Sequence, residues 1–156
     1  MPGSSSGGTR RTAVASSPAV GVVARDPGGR LLLVLRANPP SAGRWSVPGG
    51  RVEAGETLAQ AAARELREET GLAARIGEVA GVVERIGEGY HYVIADLWAE
   101  LDDPEPVAAS DVDDAILVEL EALPHLDLTP GLAEFLAGVG VWPAGVPLPD
   151  NPWPGR

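Results

Sequence analysis

The chain has 156 residues, a formal net charge of −10 and no cysteine. That length fits one compact domain, and the missing thiols exclude disulfides and cysteine-held metals. The acidic balance argues against a protein that grips nucleic-acid backbone, because such affinity comes from Lys and Arg neutralising phosphates. An acidic chain still binds a polyphosphate when a divalent cation supplies the positive charge. His91 and His125 are the only histidines, so any metal is expected on oxygen ligands, a set that suits Mg²⁺ or Mn²⁺. No apolar run approaches the ~20 residues of a membrane span. The Gly-, Ser- and Arg-bearing start lacks the apolar stretch of a secretory signal, which makes cytoplasm the expected compartment.

Residues 1–17 read as a flexible N-terminal tail, 18–141 as the folded domain and 142–156 as a proline-rich C-terminal tail. Within the domain, Ala19–Ala24 and Arg30–Leu35 are β-rich runs joined by the turn signal Asp26-Pro27-Gly28-Gly29. Residues 38–55 carry Pro39, Pro40, Gly43, Pro48, Gly49 and Gly50 and read as loop. Thr57 is placed to cap a helix running to about Thr70, with Gly71 at the position that takes a left-handed residue. Two strands follow, Ile76–Arg85 and Tyr90–Leu101, across the turn residues Gly87-Glu88-Gly89. A short strand Ala115–Glu119 precedes a final helix from Pro130 to about Ala137. Strands and helices mix without regular βα alternation, so an α/β fold with a mixed sheet is expected. Pro143, Pro147, Pro149, Pro152 and Pro154 keep the tail out of helix or central strand. Trp142 and Trp153 offer anchors for it.

The chemistry concentrates between Gly50 and Leu72. At 100° per residue, Leu58, Ala59, Ala62, Ala63 and Leu66 form an apolar stripe. Glu65, Glu68 and Glu69 fall within an arc of about 100° at its edge. Glu68 and Glu69 occupy the last turn, where the helix dipole disfavours anions. Arg64 reaches Glu68 at i,i+4 only in the weaker orientation. Carboxylates crowded against these penalties are explained by a shared cation; the alternative is a solvated charged face.

The spacing is specific: Gly50, five residues, Glu56, seven residues, then Arg64-Glu65-Leu66-x-Glu68-Glu69-x-Gly71-Leu72. This resembles the Nudix box at every defined position over 23 residues, and Trp45-Ser46-Val47-Pro48-Gly49-Gly50 resembles the family's approach to it. The resemblance implies the Nudix fold, an α/β/α sandwich around a mixed sheet with a loop-helix-loop catalytic motif. It implies Glu65, Glu68 and Glu69 as ligands of Mg²⁺ or Mn²⁺. Glu56 joins them or holds the helix through a salt bridge to Arg64, and Gly49 and Gly50 let backbone approach metal and phosphates. The implied reaction is water attack on a phosphoanhydride, with Glu68 or Glu69 as the candidate base and Arg64 completing the catalytic group.

Outside the box, His91 through Leu97, Asp113-Asp114-Ala115 and Leu128-Thr129-Pro130-Gly131 resemble the ADP-ribose pyrophosphatase-like branch, while the MutT-like branch, acting on (d)NTPs, shares the layout. Ile116-Leu117-Val118 departs from a tryptophan frequent in relatives at that strand. Arg36, Arg44, Gly50, His91, Asp113 and Asp114 are the candidate substrate contacts. Asp111, Asp113 and Asp114 form either an additional metal-binding loop or a solvated acidic one. His91 and Tyr92 alternate on their strand, so only one faces a given side. The expected partner is a small nucleotide, with no nucleic-acid polymer and no membrane, and the resemblance admits a homodimer through strand Tyr90–Leu101 or the tryptophan-bearing tail. Competing readings are a nucleotide-binding module without hydrolysis, which predicts eroded box acids, and action on RNA 5′ ends, which predicts a basic surface.

Overall fold

A computed structural model describes residues 15–102, 106 and 112–153. The first two strands, β1 (Ser17–Arg25) and β2 (Leu31–Arg36), form the expected hairpin. Its turn is fastened by Asp26, whose carboxylate accepts hydrogen bonds from the Arg30 backbone N–H at 2.8 Å and the Arg30 Nε–H at 2.7 Å. Burial pushes this carboxyl up, but the Arg30 hydrogen bonds outweigh burial and hold it below its ordinary range.

The segment read as loop contains two short strands, β3 (Trp45–Ser46) and β4 (Gly49–Arg51). Neither carries a period-2 pattern long enough to be recognised. Both exist because a longer strand offers a free edge, β2 for β3 and β1 for β4. After the box helix α1 (Leu58–Thr70) come β5 (Ala74–Gly87), β6 (Tyr90–Leu101) and β7 (Val112–Val118). A 3₁₀ stretch, Leu120–His125, and helix α2 (Leu132–Gly138) complete the elements among the described residues. The sheet runs β3-β2-β1-β6-β5, with β4 also on β1 and β7 also on β2. The β1–β6 pairing is parallel and the others are antiparallel, so the sheet is mixed as expected.

Strand alternation sorts the core into two layers. Val20, Val22, Leu32, Ala95, Leu97, Ala99 and Leu101 pack on one face with Ala61, Ala62 and Leu66 of α1. Val23, Leu31 and Leu33 pack on the other with Leu123, Leu132, Ala133 and Leu136. Helices therefore cover both faces of the sheet.

Helix α1 begins in a reciprocal capping box. The Gln60 N–H donates to the Thr57 hydroxyl at 3.1 Å, and the Thr57 N–H donates to the Gln60 side-chain oxygen at 2.9 Å. It ends on Gly71 at φ 73°, whose N–H bonds the Arg67 carbonyl. The expected apolar stripe is corrected by the packing. Leu58, Ala59 and Ala63 are exposed, and the buried positions are Ala61, Ala62, Leu66, Glu69 and Thr70. The helix is rotated so that its acidic flank turns toward the sheet, carrying Glu69 inward with Leu66.

Strand β6 lies between β1 and β5, so its backbone is already paired on both sides. The edge on this side of the sheet is β5. Among the described residues no helix is long and apolar enough to cross a membrane.

Candidate active site

The Gly49–Gly50 loop and helix α1 meet at one end of the sheet. The Gly49 N–H donates to Glu69 Oε1 at 3.1 Å. A Cβ added to Gly50 would collide with the Glu65 carboxylate, so this glycine creates the room in which Glu65 sits. Gly50→Ala is expected to displace Glu65 and cut turnover at least tenfold while the fold persists; steady-state kinetics and circular dichroism read the two effects separately.

Arg64 ties the loop to the helix. Its Nε and Nη2 donate to the two oxygens of Glu56 at 2.6 and 3.0 Å, a paired contact. Nη2 also donates to the Arg51 carbonyl at 2.9 Å, and Nη1 to Glu68 Oε1 at 3.1 Å. The Arg64 hydrogen bond holds the Glu56 carboxyl below its ordinary range, and the same bond raises the guanidinium further above its own. Of the two roles open to Glu56, the salt bridge to Arg64 is the one the structure forms. Glu65 is largely buried, whereas Glu68 is half-exposed and held by Arg64.

All donors gathered here are oxygens, and Gly50 leaves space that a side chain would fill. That chemistry fits a hard divalent cation. Among the described residues no three acidic or histidine side chains converge closely enough to hold one.

Beside this end, on the α2 face of the sheet, opens a cavity of about 440 Å³. The even-numbered β6 residues Tyr90, Tyr92, Ile94 and Asp96 line it, with Gly21 of β1 and Phe135 of α2. A small cleft containing Glu69 shares Arg36, Asn38, Val47 and Gly49 with it. Glu69 thus lies in a cleft that adjoins the cavity at Gly49. Arg36 stands at the junction, with its Nε–H on the Pro40 carbonyl at 2.9 Å.

Other expected contacts lie elsewhere. His91, an odd-numbered position of β6, is outside the cavity lining and shares a 2.9 Å hydrogen bond with Glu84; strand alternation puts Tyr92 on the cavity side instead. Arg44 stands 3.7 Å from Asp127 and is also outside the lining. Asp113 and Asp114 are exposed, with Asp114 accepting from the Ala115 N–H at 2.8 Å. Asp111 falls outside the described residues.

Residues that the sequence reading did not place at the site include Arg51, Arg85 and Asp96, all in the lining. Trp153 lines it too. The chain doubles back so that the Gly131 N–H bonds the Asn151 carbonyl and the Asn151 side chain bonds the Leu128 carbonyl. This sets the Trp153 ring 4.9 Å from the Arg85 guanidinium.

Asp96 is 4% exposed. Burial pushes its carboxyl up to about 7, with the charge of Arg85 acting in the opposite direction. The folded chain therefore holds this proton more tightly than the unfolded chain, whose aspartate titrates near 3.8. The associated stability is complete below that lower value and is lost as pH rises through about 7. In metal-free buffer, Asp96→Asn is expected to raise the urea midpoint relative to wild type, by more at pH 8 than at pH 5. An equal effect at both would contradict a buried, proton-holding carboxyl.

Comparison with known proteins decides the family. The NUDIX domain model matches residues 15–139. The chain belongs to the Nudix family. It is 35% identical over 109 residues to an ADP-ribose pyrophosphatase of Methanocaldococcus jannaschii, covering 68% of this chain and 63% of that protein. Over 65 residues it is 43% identical to the CTP pyrophosphohydrolase of Escherichia coli, covering 41% and 47%. These matches span less than two thirds of either relative. A crystal structure of a MutT Nudix hydrolase from Burkholderia pseudomallei superposes with a TM-score of 0.70 at 29% identity, over 79% of this chain and 97% of that one. The Nudix box of this chain is accordingly the segment from Gly50 to Leu72, and its helix is α1.

Proposed function

We propose that the protein hydrolyses a phosphoanhydride bond in a nucleoside diphosphate linked to a second moiety, with ADP-ribose as the favoured substrate. The observation that carries this reading is the meeting of Glu65 and Glu69 with the Gly49–Gly50 loop beside a nucleotide-sized cavity. Similarity to the archaeal ADP-ribose pyrophosphatase supports the substrate.

Glu65, Glu68 and Glu69, with Gly49 at the rim, would hold Mg²⁺ or Mn²⁺, while Glu56 keeps its salt bridge to Arg64. Such a cation supplies positive charge to the anhydride oxygens and favours water attack at phosphorus. The chain's own residues do the rest. Arg36, at the junction of cleft and cavity, and Arg51, in the cavity wall, offer positive charge to the two phosphates. Glu68 or Glu69 takes the proton of the attacking water, and Arg64 positions the helix and its carboxylates. For ADP-ribose, water adds to one phosphorus and the bridging P–O bond breaks, giving AMP and ribose 5-phosphate.

A second reading, hydrolysis of a nucleoside triphosphate to the monophosphate and pyrophosphate, is favoured by the similarity to the bacterial CTP pyrophosphohydrolase. The complete set of acids in the box weighs against a binding module without hydrolysis. Self-association would use β5, an edge strand that leaves Val79, Val82 and Ile86 exposed.

A phosphate-release screen with Mg²⁺ or Mn²⁺ separates these readings. ADP-ribose and other nucleoside diphosphate sugars require added phosphatase for signal, whereas triphosphates release pyrophosphate directly. Preference for ADP-ribose is expected. Preference for a triphosphate would replace the first reading with the second, and no turnover of any nucleotide would favour the binding module.

A further inference from the structure

We propose that Asp96 is the specificity-determining residue of the cavity, its carboxyl reading the amino-bearing edge of an adenine ring. This rests on the cavity being the nucleotide site. It adds the part of the nucleotide that is recognised and the side chain that recognises it.

The first support is placement. Gly49, Gly21 and Asp96 lie in one row across β4, β1 and β6. Two strand spacings, roughly 10 Å, therefore separate Asp96 from the loop that meets the box. That is the span of a nucleoside from its 5′ phosphate to the far edge of its base. A phosphate at the Gly49 end thus brings a base edge to Asp96.

The second is the chemistry of the floor. Asp96 is the single acid among the cavity-lining residues. It is almost wholly buried, and the charge of Arg85 acts on it. A Cβ on Gly21 would collide with Asp96 Oδ1, so the carboxyl lies across that glycine in a fixed position. Burial of a carboxyl is costly, and a ligand carrying N–H donors lowers that cost.

The third is the walls. The Phe135 ring stands against Gly81, the register partner of Asp96, and Tyr90, Tyr92 and Trp153 line the cavity farther along β6. A flat aromatic surface beside a buried carboxyl suits a planar heterocycle. Adenine places an amino donor beside a ring-nitrogen acceptor. A protonated carboxyl matches both, accepting through its carbonyl oxygen and donating through its O–H. An asparagine amide presents the same pair.

The test is equilibrium binding, followed by tryptophan fluorescence and by calorimetry, of AMP and of purine riboside 5′-monophosphate, which lacks only the amino group. Wild type is expected to prefer AMP by about tenfold, the worth of one well-made hydrogen bond in a buried site. Asp96→Leu should abolish the preference by weakening AMP alone, and Asp96→Asn should keep it. A preference unchanged in Asp96→Leu overturns the proposal, as does wild type that binds the two equally or binds neither. Because neither ligand contains the scissile anhydride, the result is independent of turnover. Base preference without hydrolysis would leave Asp96 assigned and defeat the enzymatic reading, while hydrolysis without base preference would do the reverse.

Discussion

Replacing Glu69 with Gln is expected to lower kcat by about 10²–10⁴-fold and to leave the fold intact. Glu69 is 7% exposed, and one of its oxygens accepts the Gly49 N–H. The amide oxygen of Gln preserves that bond and the volume, so loop and helix stay together. The substitution removes the negative charge, and with it the capacity to neutralise a divalent cation or take a proton from water. Thermal denaturation of the variant should fall within a few degrees of wild type. Near wild-type kcat would show that the catalytic centre lies elsewhere.

Arg64→Lys should raise the Mg²⁺ concentration needed for half-maximal activity by about 10–100-fold, the usual effect of losing a group that orients metal ligands. Arg64 serves Glu56, the Arg51 carbonyl and Glu68 through three nitrogens at once. A lysine ammonium is one point charge on a flexible stem and cannot span that fork. The net charge is unchanged, so the effect isolates geometry. A Mg²⁺ titration identical to wild type would mean that Arg64 is an ordinary surface ion pair, worth well under 1 kcal/mol.

The box was legible because its constraints are local. A cap at Thr57, a left-handed Gly71 and acids at fixed helical spacing all act within one turn or two, so residue order contains them. The long strands were legible for the same reason, since alternation is a property of neighbouring residues. The strands β3 and β4 were not, because two or three residues become strand only when β2 and β1 present an edge to them. Rotation of α1 was misjudged along with its stripe. Apolarity counted Leu58 and Ala59 as core, whereas the sheet receives the flank that carries Glu69.

The cavity shows the boundary most clearly. Tyr92 and Asp96 share a strand face by simple alternation, and one acid inside Ile94-Ala95-Asp96-Leu97 is a visible anomaly. Its meaning required knowing that Gly21 lies opposite and that Phe135 and Trp153 close the other side. Asp96 is 75 positions from Gly21, 39 from Phe135 and 57 from Trp153 in the chain, beyond the reach of any local pattern. His91 illustrates the converse. Its residue type suggested chemistry, but one step along the strand turned it toward Glu84 and away from the cavity.

The most direct measurement is hydrolysis of ADP-ribose in ¹⁸O-labelled water, with products resolved by mass spectrometry in Mg²⁺, in excess chelator and with Glu69→Gln. The expected result is AMP and ribose 5-phosphate with a single ¹⁸O on one phosphate, formed in Mg²⁺ and nearly absent under the other two conditions. Undiminished turnover in chelator or in the variant would contradict a reaction run by the carboxylates at the Gly49–Gly50 loop, as would products without the label.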